Sequence, residues 1–492
     1  WYAPVKMDWK TAPEFDPFGP MDRWGGYDEY GWFRCIFTIP AEADGKELWV
    51  EISQDKREWY AQNPQFLLYC NEKPMQGLDL YHESCLLRKK AVSGETLQLD
   101  LDAWAGMVTR GRTWSDKENR PGLFAIRFFT LEEDIQSFYY DIKTVYETAK
   151  YTDKESEKGL RLRKILNETI GQLDFREKNR FRQTLPEAKK ILEQIWETER
   201  TENIQAFCVG HTHIDIAWMW RFQHTKMKVQ RSFSTALKLL DEYPEYKFMS
   251  SQPQLYEYME ETQPEQFKKI QKYVQESRWE PEGGMWIEAD CNLTSGESLI
   301  RQFLIGKKYF LEKFGKDSKV LWLPDVFGYS ASLPQICKKC GIDYFMTTKI
   351  SWNEKDKIPF DTFMWKGVDG TGLLTHFAPA KQYDKTDYNP FGFARSPYIT
   401  TYNGILEPDY VMGGWKRYSQ KTLEPSFLIP YGYGDGGGGT TRDMVEKGKR
   451  MEKGIPGCPL VKFSDSLSFF QYLDQKVKGK KELPEWNGEL YL

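Results

Sequence analysis

The chain has 492 residues, with 68 Lys plus Arg against 72 Asp plus Glu, a formal net charge of -4, and 15% aromatic residues including 18 Trp. That length predicts two or three domains, and the near balance of charge excludes the basic footprint expected of a partner for nucleic acid or an anionic membrane. Eight scattered cysteines do not form a disulfide framework and no apolar run approaches the ~20 residues of a membrane helix, so a protein of a reducing cytoplasm is expected.

Residues 1–140 read as short β segments, among them "WFRCIFTIP", "ELWVEIS" and "ETLQLDLDAWAG", separated by Gly, Pro, Asp and Asn turns. They predict an antiparallel β-sandwich. From Asp134 the composition shifts to Lys, Arg and Glu with apolar residues at helical spacing, and residues 141–202 are expected to form a helical connector. Residues 203–492 alternate: "IQAFCVG" as a strand, Lys226–Tyr243 as a helix, "YKFMSS" as a strand, Gln254–Ser277 as helix, "WEPEGGMW" as a strand and Ser295–Phe314 as a helix. "KVLWLPDVFG" and "YFMTTKI" follow as strands around a helix near Leu333–Cys340, and then come "GLLTHFAP" and "SFLIPYGYGD". Repeated β-then-α predicts an α/β fold with a parallel sheet or barrel, whose chemistry gathers at the carboxyl ends of the strands. Between Lys381 and Glu424 a long irregular insertion rich in Tyr, Gly and Pro is expected to act as a substrate-facing lid. Trp1 and the strand-like ending "GELYL" suggest that both ends are cuts in a longer protein.

The chemistry-bearing residues each follow an apolar strand. His211, His213 and Asp215 lie beyond "IQAFCVG", Asp325 lies in "LPDVFGYS" beside Phe327 and Tyr329, and Asp435 precedes a run of glycines in "YGYGDGGGG". With side chains alternating at period two, His213 and Asp215 would project to one side as a metal grip suited to Zn²⁺, with Co²⁺ or Mn²⁺ as alternatives. The bland alternative is a hydrogen-bonded histidine beside a helix-capping aspartate. Two carboxylates and a metal at one mouth suggest hydrolysis of a glycosidic bond, one acid attacking and the other shuttling a proton. The H-x-H at His211 and His213 admits a second reading, a metal-dependent amidohydrolase barrel, and a carbohydrate-binding protein without catalysis is a third. Cys337 and Cys340 form a lone CxxC, read as two cysteines on one short helix.

"GHTHIDIAWMW", "WEPEGGMWIEADCNLTSGESLIRQFL", "LWLPDVFGYSASLPQICKKCGI", "TTKISWN" and "YGYGDGGGG", in this order and spacing, resemble the α-mannosidases of glycoside hydrolase family 38, in particular its cytosolic and bacterial branch. The resemblance implies a seven-stranded β/α barrel, one Zn²⁺ contacting sugar hydroxyls, a mannose-containing oligosaccharide as substrate and retention of anomeric configuration, with a homo-oligomer left open. It further implies His213, Asp215 and Asp325 as metal ligands, Asp325 as nucleophile, Asp435 as general acid/base and Trp218 as a wall against the sugar. Trp286, Glu288, Asp290 and Arg301 are candidate substrate contacts, as are Phe327 and Tyr329 beside the nucleophile. The family's remaining histidine ligand, in a motif resembling "ELHRGT", is expected just beyond "GELYL", together with a helical bundle and β domains.

Overall fold

The computed structural model describes residues 2–3, 15–19, 22–54, 64–107, 122–197, 203–353, 355–384 and 398–492. Its first part contains β1 (Tyr2–Ala3), β2 (Arg23–Trp24), β3 (Tyr30–Thr38), β4 (Glu47–Gln54), β5 (Gln65–Cys70), β6 (Lys73–Leu78), β7 (Ser84–Arg88), β8 (Thr96–Trp104) and β9 (Gly122–Leu131). They make two antiparallel sheets, ordered β1-β3-β8-β5-β6 and β2-β9-β4-β7. Alternate residues of the strands, such as Leu97, Leu99 and Leu101 in β8 and Leu48, Val50 and Ile52 in β4, meet in one apolar layer, as period-two side chains require. Three helices follow, α1 (Glu133–Tyr151), α2 (Glu157–Gln172) and α3 (Lys178–Glu193). Their apolar faces pack inward: Val145, Leu162 and Leu185 share a core with Ala206 and Phe233 of the next region.

That region begins with β10 (Gln205–His211), α4 (Phe222–Glu242), β11 (Phe248–Ser250), α5 (Pro253–Thr262), α6 (Pro264–Gln275), β12 (Trp279–Pro281) and α7 (Gly296–Phe314). It continues with β13 (Val320–Trp322), β14 (Gly328–Tyr329), α8 (Leu333–Lys339), β15 (Tyr344–Thr347), β16 (Thr362–Lys366), β17 (Gly372–Phe377) and α9 (Pro408–Arg417). The last elements are β18 (Ser426–Tyr431), α10 (Arg442–Lys453), β19 (Leu460–Phe463), α11 (Ser466–Val477), β20 (Glu485–Asn487) and β21 (Leu490–Tyr491). Local chemistry sets several boundaries. The Arg221 N–H donates to His224 Nδ1 at 3.0 Å, so α4 starts ahead of the expected Lys226. The single helix expected over Gln254–Ser277 is two, because Pro264 lacks the N–H that a continuing helix would use. Ser295 caps α7, and Gly315 ends it in a left-handed conformation at φ 67°.

Strands β12, β11, β10 and β18 form one parallel sheet, with β19 also on β10, and β13, β15 and β17 are the parallel part of a second. One parallel bridge, Gly283 to Leu321, joins the two sheets. Phe207, Met249, Trp322, Met346, Leu374 and Leu428, from six of these strands, share one inner core with Phe469 and Phe470 of α11. Tyr344 and Ser426 open β15 and β18 and meet Phe470 and Tyr472 of α11, so that helix closes the amino-terminal end. The carboxyl ends stay clear for chemistry.

The α/β class is as expected, whereas a closed seven-stranded barrel is not found. The free edge of β17 is taken by antiparallel β16, and among the described residues no ladder joins β17 to β18. A side chain spans that seam instead: the Leu428 N–H donates to His376 Nε2 at 3.3 Å, while His376 Nδ1 lies 2.9 Å from Thr362 Oγ1. The insertion between Lys381 and Glu424 is not irregular throughout, since it holds α9; its residues 385–397 lie outside the described residues. No helix among the described residues is long and apolar enough to cross a membrane.

His376 is fully buried, and burial pushes its pKa down to about 3. The same group in an unfolded chain titrates near ~6.5. Between those values the unfolded state binds the extra proton, so the contribution of neutral His376 is complete above about 6.5 and is lost as pH falls towards 3. Denaturant titrations across this window are expected to show stability falling with pH, and His376→Gln should remove ~1.4 kcal/mol per pH unit from the slope. An unchanged slope would assign the titration to another group.

Candidate active site

Four segments from different strand exits converge at the carboxyl end. The chain leaves β10 at His211, and His213 lies buried two residues on. His213 Nε2 is 3.3 Å from Asp215 Oδ1 and 3.6 Å from Asp325 Oδ2, and Nδ1 is 2.8 Å from Glu288 Oε2. His211 points elsewhere, its Nε2 donating to the Tyr402 carbonyl at 2.8 Å.

Asp325 stands three residues past β13 on a loop fixed from below. The Tyr329 hydroxyl, fully buried, lies within 3.0 Å of the carbonyls of Leu323 and Val326 and 2.7 Å from Thr347 Oγ1, and Thr348 Oγ1 donates to the Pro324 carbonyl at 2.8 Å. Pro324 has no N–H to offer a ladder, which frees the chain to turn outward here. Lys349, directly after β15, forms an ion pair with Asp325 Oδ1 and lies 4.2 Å from the centre of the Trp352 ring.

Asp435 follows β18 on the glycine-rich turn, itself at φ 54°. Asn403 Nδ2 donates to its Oδ2 at 3.1 Å. The Tyr402 hydroxyl is 2.8 Å from both Asp325 Oδ2 and Asp435 Oδ1. A phenol carries one hydrogen, so one of these two contacts must be made by a proton on a carboxyl group. Burial raises the pKa of Asp435, and the neighbouring Asp325 and Asp215 raise it further against the opposing pull of His213, so its protonated form is favoured. Burial alone would lower His213, but Glu288 and Asp215 hold its pKa well above the usual range.

The ligand atoms of His213, Asp215 and Asp325 lie within 4.8 Å of one another. One imidazole and two carboxylates form a donor set suited to a hard or borderline divalent cation. The wider balance agrees: the carboxylates of Asp215, Glu288, Asp325 and Asp435 outnumber the nearby His213, Lys349 and buried Lys228, and a cation would offset that excess.

The other expected residues are distributed unevenly. Trp218 and Phe327 are 45% and 53% exposed; Trp218 packs edge-on to Trp220, and Lys349 lies 5.1 Å from the centre of the Phe327 ring. Trp286 donates to Gln254 Oε1 at 3.3 Å and packs edge-on to Tyr309, Asp290 accepts from the backbone of Asn292 and Leu293, and Arg301 pairs with Glu297 on the surface of α7. Tyr329 is buried beneath the Asp325 loop, close enough to feel the charges of Asp325 and Glu288. The sequence reading missed Lys349, Tyr402 and Asn403. Lys349 had a signal, its place in "TTKISWN" at a strand exit, whereas Tyr402 and Asn403 arrive from the insertion with no local one.

Comparison with known proteins identifies the family of the chain. The glycosyl hydrolases family 38 N-terminal domain matches residues 203–489. Over 99% of its length the chain is 32% identical to Alpha-mannosidase G of Dictyostelium discoideum and 31% identical to human Alpha-mannosidase 2C1, spanning 42% and 44% of those proteins. It is 34% identical to an Alpha-mannosidase of Saccharomyces cerevisiae over 74% of this chain and 34% of that one. The chain thus spans less than half the length of these relatives. Since the domain match covers more than half of the 492 residues and includes His213, Asp215, Asp325 and Asp435, the chain belongs to glycosyl hydrolases family 38.

Proposed function

We propose that the protein containing this chain is a retaining, metal-dependent α-mannosidase acting on mannose-containing oligosaccharides. The observation that carries the reading is the shared phenol. Two carboxylate oxygens each 2.8 Å from one hydroxyl are too close for the ~6.5–9.5 Å gap that an inverting pair needs for its water. Asp325 is then the nucleophile and Asp435 the acid that protonates the leaving oxygen and later takes a proton from water. Lys349 sets its ammonium against Asp325 Oδ1, and Glu288 fixes His213 through Nδ1 so that Nε2 faces the carboxylates.

His213, Asp215 and Asp325 would hold one divalent cation, Zn²⁺ first, with Co²⁺ or Mn²⁺ as alternatives. When bound it supplies positive charge for the sugar hydroxyls and the nucleophile. Trp218 and Phe327 present ring faces to the sugar, while Tyr329, Trp286, Asp290 and Arg301 shape the surrounding loops. The amidohydrolase reading loses its support because His211 is engaged with the Tyr402 carbonyl and His376 with the β17–β18 seam. The parallel strands β10, β11, β12, β13, β15, β17 and β18 are taken as an opened seven-stranded β/α barrel, a reading supported by the inner core that all but β12 share. Eight free thiols, six of them buried, support a reducing cytoplasm.

The complete natural protein is expected to release α-mannose first from an aryl α-D-mannoside, followed by NMR; β-mannose as the first product would refute retention. Chelation should abolish turnover, with restoration by added Zn²⁺ or Co²⁺. Asp325→Ala is expected to lose turnover and bound metal together, read by kinetics and metal analysis, and a variant that keeps both would remove Asp325 from its role. Asp435→Ala should cost ~10²–10⁴-fold on a poor leaving group and much less on an activated one. Equal losses on the two substrates would reject it as the acid.

A further inference from the structure

Asp435 stands on a turn with little stiffness of its own. Gly432, Gly436, Gly438 and Gly439 all have φ between 73° and 127°, and glycine surrenders more backbone freedom on ordering than any other residue. Inside the turn, Tyr433 and Gly439 exchange backbone hydrogen bonds of 2.8 and 2.9 Å and Gly437 bonds back to Gly434 at 2.8 Å. That ladder closes the loop but does not fix it against the rest of the site.

A second layer comes from the N-terminal sandwich. The turn between β6 and β7 carries Asp79, Tyr81 and His82, far away in sequence. The Tyr81 ring stacks on Tyr433 with centroids 3.7 Å apart and planes 11° apart. His82 Nε2 lies 3.0 Å from the Thr440 carbonyl and Nδ1 lies 2.9 Å from Asp79 Oδ1. Both partners are acceptors, so both ring nitrogens donate and the group is an imidazolium. Asp79 also accepts from the backbone N–H of Tyr81 and His82 at 2.8 and 3.0 Å, which preorganises the turn. A Cβ at Gly438 would fall 2.6 Å from Asp79 Oδ2 and 2.8 Å from the His82 ring. Asp79 and His82 are both buried. Burial disfavours their charges, yet the pair still lowers Asp79 and raises His82 from their ordinary values.

We propose that Asp79, Tyr81 and His82 of the N-terminal β-sandwich are positioning residues that clamp both flanks of the glycine turn and set the reach of the Asp435 carboxyl. The sandwich is then part of the catalytic apparatus, acting through Asp435 without touching the sugar. This rests on the reading of Asp435 as the acid. Displacing an acid matters only where the leaving group needs its proton, so the signature is a leaving-group dependence rather than a uniform loss.

The test uses His82→Ala and, as a surface-side alternative, Tyr81→Ala in the complete, metal-loaded protein. On an α-mannoside with a poor leaving group kcat is expected to fall ~10–100-fold, as for ångström-scale misplacement, with little change in KM. On a dinitrophenyl α-mannoside the loss should stay below about threefold, because proton donation is dispensable there. Hydrogen exchange should quicken over residues 432–440, with bound metal unchanged. Equal losses on both substrates, or parent-like exchange over the turn, would overturn the clamp. If the parent cleaves no α-mannoside the functional reading fails, and exchange at 432–440 then decides the clamp alone.

Discussion

Everything at the carboxyl end of the strands answers one electrostatic problem, four carboxylates gathered around one imidazole. Asp215, Glu288 and Asp325 each approach His213 within 3.6 Å, and Asp435 joins them through Tyr402. Buried like charges cannot all ionise without compensation. Three features bear on it: the ammonium of Lys349 against Asp325, the raised pKa of Asp435, and the ligand atoms of His213, Asp215 and Asp325 set within 4.8 Å of one another, close enough to share a cation. Asp325 and Asp435 therefore sit in different surroundings, one against an ammonium and one raised by burial and like charge, even though the two share a hydroxyl partner.

The fold delivers this crowding because parallel strands put successive exits side by side. β10 supplies His213 and Asp215, β13 supplies Asp325, β15 supplies Lys349 and β18 supplies Asp435. The ends opposite are sealed by α11, whose Phe469 and Phe470 complete the inner core. The ladder remains open between β17 and β18, and the insertion that returns Tyr402 and Asn403 to the site runs between those two strands in sequence. Closure of the backbone and delivery of the bridging phenol therefore concern the same stretch of chain.

The sequence made visible the residues whose signal is local. His213, Asp215, Asp325 and Asp435 each follow a short apolar run, and the alternation of elements led to the α/β class. What it concealed depends on distant partners. Tyr329 looked like a neighbour of the nucleophile, but with side chains alternating along a β bridge it turns inward and spends its hydroxyl on three buried groups. Glu288 looked like a sugar contact and is held instead against His213 Nδ1. Tyr402 sits 77 positions from Asp325, and no pattern around it announces that pairing. The open barrel was equally hidden, since nothing in "TFMWK" indicates that β16 would run antiparallel and occupy the edge of β17.

The glycines beyond Asp435 show how a weak sequence signal acquires a definite cause. Taken alone, such a run indicates a turn and little else. In the fold three positions around Asp435 are pressed by different neighbours: Gly434, just before it, by Asn403, Gly436 by Lys228 of α4, and Gly438 by Asp79 and His82 of the sandwich. A methyl group at any of them would displace a polar side chain held by other bonds, including Asn403 Nδ2 against Asp435 and His82 Nε2 against Thr440. The absence of side chains therefore serves close approach from three directions more than freedom of motion. A turn that is soft by composition becomes rigid by contact, and the carboxyl at its tip inherits that rigidity.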